Sequence, residues 1–253
     1  MDVLTKKEIL ILTFRTFFIR LFYNYKNLFG VGICYNLLPV GKRSFCNDQN
    51  DKDFFQRHMS FFNTNVFLSG FAIGIIIKLE QSESLEHLER IKNTLSGTLG
   101  ALGDNLINKT IMPLIIFASL NIMIMNGLSF DLSSLFFVLF LLLLFNIFNF
   151  SIRFYGISHG NKFGHKSLSI FKSDKYRTIL KTLSYVRDIL AGYLIVNLMS
   201  FLYQPIENRL NLLNLIFSAF LIFYFVKFLP VIYREVSTVI TLVFYLIFFS
   251  YYL

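Results

Sequence analysis

Apolar stretches separated by short polar segments fill most of the chain beyond residue 110. Five of these stretches approach the about 20 residues that an α-helix needs to cross a bilayer, at 111–125, 132–150, 189–203, 210–228 and 236–253. The first two flank a short polar turn, which predicts a helical hairpin. The pattern predicts an all-α integral membrane protein, in which residues 111–253 form a multi-span bundle of transmembrane helices.

Residues 1–60 show a mixed pattern of apolar and charged positions. Thr5 and Glu8 match a capping box, which predicts the start of a helix. Apolar residues then recur at helical spacing, with basic residues elsewhere around the helix, at Leu10, Phe14, Phe17, Phe18 and Leu21. We predict N-terminal interfacial helices that lie in the membrane surface, a turn around residues 30–32, and a peripheral portion that ends near residue 60. Because Arg15 interrupts the apolar run, a cleaved signal is not expected.

Residues 66–77 are apolar throughout but are too short to cross a bilayer. This length is typical of a re-entrant or half-crossing helix. Two glycines four residues apart, Gly70 and Gly74, would let another helix approach closely. We therefore predict a re-entrant, glycine-rich region that covers residues 61–110.

A short solvated helix is predicted between this apolar stretch and a glycine-rich run. Ser84 can cap its N-terminus, and Glu86 can pair with Arg90 four residues later. The run that follows contains Gly97, Gly100 and Gly103. These glycines either place backbone amides against a solute or let helices meet closely, and both interpretations stay open here.

Polar side chains flank the apolar stretches and suggest a site for a hydrophilic solute. Asn63, Thr64 and Asn65 precede one stretch, while Asp104 and Asn105 follow the glycine-rich run. An ionisable group at membrane depth costs about 2.5–3.5 kcal/mol on insertion scales, so such groups usually face a cavity or another protein. Amides carry the donors and acceptors that sugar hydroxyls need.

Structural roles compete with solute binding at the same positions. Asn63 and Thr64 could instead brace the turn before the apolar helix, as short polar side chains often do. For Asp104, a structural pair with Lys109 or Arg57 competes with a hydrogen bond to a solute. The sequence alone leaves these alternatives open.

Composition and charge support a membrane protein. The chain is 55% hydrophobic and only 15% charged, with a net charge of +9. From residue 153 to residue 187 there are eight Lys and Arg against a single acid, Asp174. The positive-inside rule makes residues 151–187 a basic cytoplasmic loop, which places the N-terminus in the cytoplasm and the C-terminus outside. The charge follows no groove-reading motif, so a nucleic-acid partner is not expected.

The titratable side chains suggest no catalytic, cofactor or metal site. Cys34 and Cys46 lack the spacing of a metal site and are expected to be reduced thiols. Histidine can accept a phosphoryl group, but no supporting carboxylate pattern accompanies the four histidines, which are His58, His87, His159 and His165. We therefore expect no catalytic residue.

Four ordered segments resemble a bacterial permease family, the IID component of the mannose/fructose/sorbose-type sugar phosphotransferase system. Residues 57–64 are similar to its RHLxFFNT signature, and 97–104 to its GPLAGxGD element. Residues 32–39 resemble its GFxxxxxP segment, and 153–156 its RYYG. The chain departs from the family where prolines are common, with Val66, Thr98 and Asn105 in their place. Losing proline relaxes the backbone, so the site is altered or retuned.

The resemblance implies a sugar-uptake function in the bacterial inner membrane. A IIC membrane subunit and this IID chain would form the path, as a hetero-oligomer with several copies in the lipid bilayer, for a hexose-type sugar. A cytoplasmic IIB subunit carrying phosphohistidine would phosphorylate the sugar, so covalent chemistry belongs to the partners. Residues 151–187 either dock IIB or only fix topology. The expected substrate-binding residues are Asn63, Thr64, Asn65, Gly100, Gly103, Asp104 and Asn105. The alternative is a non-transporting scaffold or sensor that keeps the fold and the partner surface.

Overall fold

The computed structural model of the chain describes residues 4–44, 51–82, 84–126 and 132–202. Eight α-helices lie in these ranges: α1 (Lys6–Thr16), α2 (Gly30–Ser44), α3 (Asp51–His58), α4 (Ser69–Ser82), α5 (Leu85–Gly103), α6 (Met112–Met125), α7 (Leu132–Phe163) and α8 (Asp174–Leu202). Shorter 3₁₀ segments lie at Ile19–Phe22, Val66–Leu68 and Gly164–Lys172, and a π-helix at Asp104–Ile111 joins α5 to α6. The helical class predicted from the sequence is confirmed. The candidate spans at 210–228 and 236–253 lie outside the described residues.

The chain divides into two compact units, and the first contains Met1–Pro113 and Leu139–Leu183. Helix α4 is the centre of this unit. Its buried side chains belong to one core cluster with side chains from α1, α2, α5 and α7, such as Leu12, Leu37, Leu99 and Ile157. Most side chains of 66–77 are almost completely buried. The stretch predicted to be re-entrant is therefore helical, and its apolar side chains face other parts of the protein on all sides.

Glycines bring α4 and α7 into close contact, as predicted for Gly70 and Gly74. A Cβ atom added at Gly74 would lie within 3.0 Å of backbone atoms of α7, and so would one at Gly70. On α7, Gly156 and Gly160 face the backbone of α4 in the same way. Each helix thus contributes two glycines at four-residue spacing to one contact.

The N-terminal helix begins as predicted and ends earlier. The capping box of Thr5 and Glu8 is formed. The buried face of α1 contains Ile9 and Leu12 and is not the predicted apolar face. The predicted apolar set remains exposed, at Leu10, Phe14, Phe17, Phe18 and Leu21. The turn predicted at 30–32 is wrong because α2 begins at Gly30. The chain turns instead at Asn24, whose Oδ1 accepts hydrogen bonds from two following backbone N–H groups, and Leu28 has a φ of 50°.

Two regions contain more helix than the sequence pattern indicated. The glycine-rich run is helical, because α5 starts after the Ser84 cap and continues to Gly103. Most of residues 151–187, the predicted basic cytoplasmic loop, are helical, since α7 reaches Phe163 and α8 begins at Asp174. Arg153, the first basic residue of that region, is 2% exposed and donates hydrogen bonds to Asn149 Oδ1 and to the Thr16 carbonyl, both at 2.7 Å.

Within the described residues, two helical stretches are long and apolar enough to cross a membrane, at Glu86–Met125 and Leu132–Lys172. On the part of α7 that belongs to the first unit, large apolar side chains are exposed, at Leu139, Phe140, Leu142, Leu143, Leu144 and Ile147. Such a surface suits hydrocarbon as its solvent.

The second unit contains Leu114–Val138 and Ser184–Leu253. Asn121 of α6 is 3% exposed, and its Nδ2 donates to the Leu190 carbonyl of α8 at 3.0 Å. Its Oδ1 accepts a hydrogen bond from Asn197 at 2.8 Å. At the end of α6, Asn126 donates to Ser134 of α7 at 2.6 Å, which supports the predicted hairpin. Asparagines are therefore the polar links between these apolar helices.

Candidate functional site

An extended segment, residues 59–65, connects α3 to the 3₁₀ turn that precedes α4. Phe62 is its apolar anchor and is 1% exposed. The backbone N–H of Phe62 donates to the Asn27 carbonyl at 3.2 Å, and the Phe62 carbonyl accepts from Phe29 N–H at 3.0 Å. These bonds fix one edge of the segment to the residues just before α2.

Helix α5 holds the other edge of the segment. The Ser96 hydroxyl accepts from the backbone N–H of Asn63 at 2.7 Å and donates to the Asn63 carbonyl at 2.6 Å. One turn earlier, the buried Lys92 ammonium donates to the Arg57 carbonyl at 2.7 Å and lies 3.4 Å from Ser60 Oγ. Neither Lys92 nor Ser96 was identified from the sequence, because neither belongs to a recognisable motif.

The end of the segment is attached to the π-helix through Asp104. Asn65 Nδ2 donates to Asp104 Oδ1 at 2.8 Å, and Asn108 Nδ2 donates to the same oxygen at 2.9 Å. Asn65 Oδ1 accepts from Phe67 N–H at 3.0 Å, so Asn65 also caps the 3₁₀ turn. A Cβ at Gly103 would lie within 3.0 Å of Asn65 side-chain atoms. Glycine at 103 therefore allows this contact.

The structure brings most of the predicted site residues together. Gly100 lies beside Asn63, since an added Cβ would be 3.9 Å from the Asn63 carbonyl oxygen. Asn63 and Asp104 are exposed, whereas Thr64 and Asn65 are buried, and the Thr64 hydroxyl meets no hydrogen-bonding partner within the described part of the chain. Asn105 is exposed, and its carbonyl accepts from Thr110 across a π-helical turn at 2.8 Å.

The open alternatives for the glycines and for Asp104 can now be compared. Because Gly97 and Gly100 lie inside a helix, their backbone amides are occupied by helical hydrogen bonds. Close packing accounts for Gly103 but not for Gly97, which has no neighbour within 4 Å of an added Cβ. Arg57, one of the two structural partners suggested for Asp104, pairs instead with Glu80. The Asp104 carboxylate accepts hydrogen bonds from two asparagines.

A buried ionic cluster lies next to the segment. Glu80 of α4 accepts hydrogen bonds from Arg57 at 3.0 Å and from His58 Nε2 at 2.7 Å. The expectation that no histidine has a carboxylate partner is wrong for His58, because the two residues are 22 positions apart in sequence. The signal for this cluster in the sequence was the pair of adjacent residues Arg57 and His58 within the family signature.

Burial and hydrogen bonding set the protonation states of this pair. Burial lowers the pKa of His58, whose side chain is 0% exposed, so its imidazole is neutral near pH 7. Burial alone would raise the pKa of Glu80, but the hydrogen bond from His58 and the charge of Arg57 outweigh it and lower that pKa. Glu80 is therefore the ionised acceptor for both neighbours.

The His58 pKa predicts that stability falls in mild acid. Below the ordinary histidine pKa of 6.5, the unfolded chain binds a proton at this position that the folded chain does not. The contribution of neutral His58 to stability is thus fully present above pH 6.5, and it is lost as the pH falls from there through the lower pKa of the folded state. Thermal unfolding of detergent-solubilised protein between pH 7.5 and 5.0 measures this effect, and His58→Gln should flatten the profile. An unchanged slope in that variant would assign the acid sensitivity to other groups.

The described residues offer little covalent or metal chemistry. Within them, no group of three or more His, Cys, Asp or Glu side chains could hold a metal ion. Cys34 is a buried free thiol, and Cys46 lies outside the described ranges. What the site presents is a set of exposed amide and carboxylate groups on a fixed backbone, which can hydrogen-bond a polar solute.

Comparisons with known proteins agree with the resemblance seen in the motifs. The family model of the PTS system mannose/fructose/sorbose family IID component matches residues 3–253. The mannose-specific EIID component of Escherichia coli (strain K12) is 28% identical over 145 residues, which are 54% of this chain and 49% of that protein. The fructose permease IID component of Bacillus subtilis (strain 168) is 24% identical over 198 residues, 76% of this chain and 70% of that protein. The chain spans about half the length of the mannose-specific relatives it matches.

Two solved structures share the fold. One, described as a membrane protein, superposes with a TM-score of 0.65 at 21% identity and covers 94% of each chain. The other, from the mannose transporter ManYZ in complex with microcin E492, gives a TM-score of 0.55 at 21% identity over 98% of this chain and 96% of that one. With a family model that covers almost the whole sequence, the chain belongs to the mannose/fructose/sorbose family of phosphotransferase-system IID components.

Proposed function

We propose that this chain acts with a IIC membrane subunit to form the path of a hexose-type sugar, which a cytoplasmic IIB subunit phosphorylates on entry. The observation that carries this proposal is the extended segment 59–65, held by α5 and joined to Asp104, which presents hydroxyl-binding groups in a membrane protein of this family. Relatives named for mannose, fructose and sorbose support a hexose-type substrate.

The proposed substrate-binding residues lie along this segment and the α5 end that faces it. The exposed Asn63 amide and Asp104 carboxylate can hydrogen-bond sugar hydroxyls. Gly100 lies beside the Asn63 carbonyl and Gly103 packs against the Asn65 side chain, and Thr64, Asn65 and Asn105 complete the predicted set. No covalent step is assigned to these residues, since phosphoryl transfer would take place on IIB.

The membrane arrangement is proposed from the apolar helices and the basic residues. We place the chain in the inner membrane, with the N-terminus in the cytoplasm and the C-terminus outside. The basic region supports this orientation, because several of its charges are exposed, at Lys162, Lys166, Lys172, Lys175 and Arg177. The same charges would attract a phosphorylated, anionic IIB surface. Division into an interfacial portion (1–60), a sugar-path region (61–110) and a transmembrane part (111–253) remains a prediction.

Uptake in a strain that lacks its own hexose phosphotransferase systems tests the proposal. We expect the full chain, expressed with the IIA, IIB and IIC proteins of one operon, to support saturable uptake of radiolabelled mannose, fructose or sorbose and to co-purify with IIC. The control strain expresses the same partners without this chain. Absence of uptake of all three sugars, despite a stable complex with IIC, would contradict the proposal.

A non-transporting scaffold or sensor is the second candidate. It is favoured by the unbroken helix across Thr98 and the π-helix that contains Asn105, at positions where the resembled family commonly has proline. Without proline the backbone bonds of these turns are retained, so the segment is less open to a solute. A complex with IIC that forms normally but binds no sugar is the outcome that this candidate predicts.

A further inference from the structure

We propose that Ser96 is a positioning residue that fixes the backbone of Asn63, so that the Asn63 side-chain amide is presented to the sugar. This inference rests on the proposed transport function and deepens it. It assigns recognition to Asn63 among the three neighbouring polar residues, and it assigns a role to a serine outside the family signatures.

The geometry at Ser96 is a closed pair of hydrogen bonds. Its hydroxyl accepts from Asn63 N–H at 2.7 Å and donates to the Asn63 carbonyl at 2.6 Å. Outside a helix these two backbone groups pair with a neighbouring strand, a side chain or water, and here one side chain pairs with both. Ser96 is itself only 6% exposed, so its hydroxyl is held in place by the surrounding protein.

Residues before and after Ser96 extend the same face of α5 along the segment. Lys92, one turn earlier, donates to the Arg57 carbonyl at 2.7 Å. Gly100, one turn later, lies beside the Asn63 carbonyl, which would be 3.9 Å from an added Cβ. Positions four apart lie on one side of a helix, so these three residues line the segment in register. The Asn63 backbone is thus fixed at the middle of the contact.

The side chains of residues 63–65 differ in what remains free for a ligand. Asn65 uses its Nδ2 on Asp104 and its Oδ1 on Phe67 N–H, and Thr64 is 4% exposed. The Asn63 side chain is exposed, and no hydrogen bond from it to another described residue is formed. A free amide offers two donors and an acceptor, which suit adjacent hydroxyls of a sugar. Asn63 is therefore the recognition group, and Asn65 braces the site.

Kinetics of sugar uptake test the role of Ser96 in the assembled complex. We expect Ser96→Ala to raise the KM for the transported sugar about tenfold, or about 1.4 kcal/mol, with kcat little changed. Ser96→Thr keeps the hydroxyl and should restore the KM. Thr94→Ala is the matched control, because the Thr94 hydroxyl is exposed and bonds to the Arg90 carbonyl of its own helix. A KM for Ser96→Ala equal to that of the wild type would overturn the inference.

A double-mutant cycle separates positioning from general stabilisation. If Ser96 acts through Asn63, then Ser96→Ala combined with Asn63→Ala should have the KM of Asn63→Ala alone. Additive effects of the two substitutions would refute the proposal. If the unmodified complex takes up sugar and Ser96→Ala leaves the KM unchanged, this inference alone is wrong. If the unmodified complex takes up no sugar, the proposed function is wrong.

Amide hydrogen exchange of residues 60–65 tests the same role without transport. The exchange rate should increase in Ser96→Ala and remain unchanged in Thr94→Ala.

Discussion

Glu80→Ala is expected to lower the free energy of unfolding by about 3–5 kcal/mol, the range for removing one partner of a buried ion pair. The Glu80 side chain is 5% exposed and accepts hydrogen bonds from both Arg57 and His58. Without the carboxylate, the Arg57 guanidinium, which is 14% exposed, keeps its charge but loses its counter-charge. Since Arg57 also supplies the carbonyl that Lys92 binds, the loss would spread to the extended segment.

Chemical or thermal unfolding in detergent micelles measures this difference. Glu86→Ala is the control, because Glu86 pairs with Arg90 at 3.6 Å where both side chains are largely exposed. Exposed pairs of this kind contribute little, so the control should remain within about 0.5 kcal/mol of the wild type. A Glu80→Ala protein as stable as Glu86→Ala would show that the buried carboxylate is not needed by its neighbours.

Local features of the fold were predictable because neighbouring residues determine them. The capping box at Thr5 and the serine cap at Ser84 both formed where the sequence placed them. The four-residue spacing of Gly70 and Gly74 correctly predicted a close helix contact, although the sequence did not identify α7 as the partner. A cap or a glycine pair needs only a few consecutive residues, so its signal is present in a short window.

Features that depend on distant residues were not predictable from local patterns. The glycine-rich run was not recognised as helix, since glycine disfavours helices by about 1 kcal/mol per residue when packing is ignored. In the fold, Gly103 packs against Asn65, which lies 38 positions earlier in the sequence. Similarly, Arg153 was counted among the basic residues that set the membrane orientation, yet it is buried and one of its partners is the carbonyl of Thr16, 137 residues away.

The candidate site shows the same limit. Residue type identified Asn63, Asn65 and Asp104 as polar groups that need partners, and the structure joins the last two. Their supports, Ser96 and Glu80, belong to helices whose sequence gives no sign of which loop they touch. The ligand-facing groups can thus be guessed from chemistry, while the residues that position them become visible only in the folded chain.

Gly74→Ala is expected to destabilise the protein by about 3 kcal/mol, although alanine is the better helix former. The added Cβ would lie within 3.0 Å of backbone atoms of α7 at Ile157, Asn161 and Gly156. Backbone atoms cannot rotate away as a side chain can, so α4 and α7 would have to separate. That movement would also reduce the dispersion contacts along the fully buried face of α4.

The same substitution at Gly97 should have the opposite sign. Gly97 lies inside α5 with no atom within 4 Å of an added Cβ, so Gly97→Ala gains helix propensity without a clash. We expect stabilisation by about 0.5–1 kcal/mol, measured by the same unfolding experiment in detergent. Because both variants add one methyl group to a helical glycine, only the packing of α4 against α7 distinguishes them. Equal effects of the two substitutions would therefore mean that the close helix contact does not determine the role of Gly74.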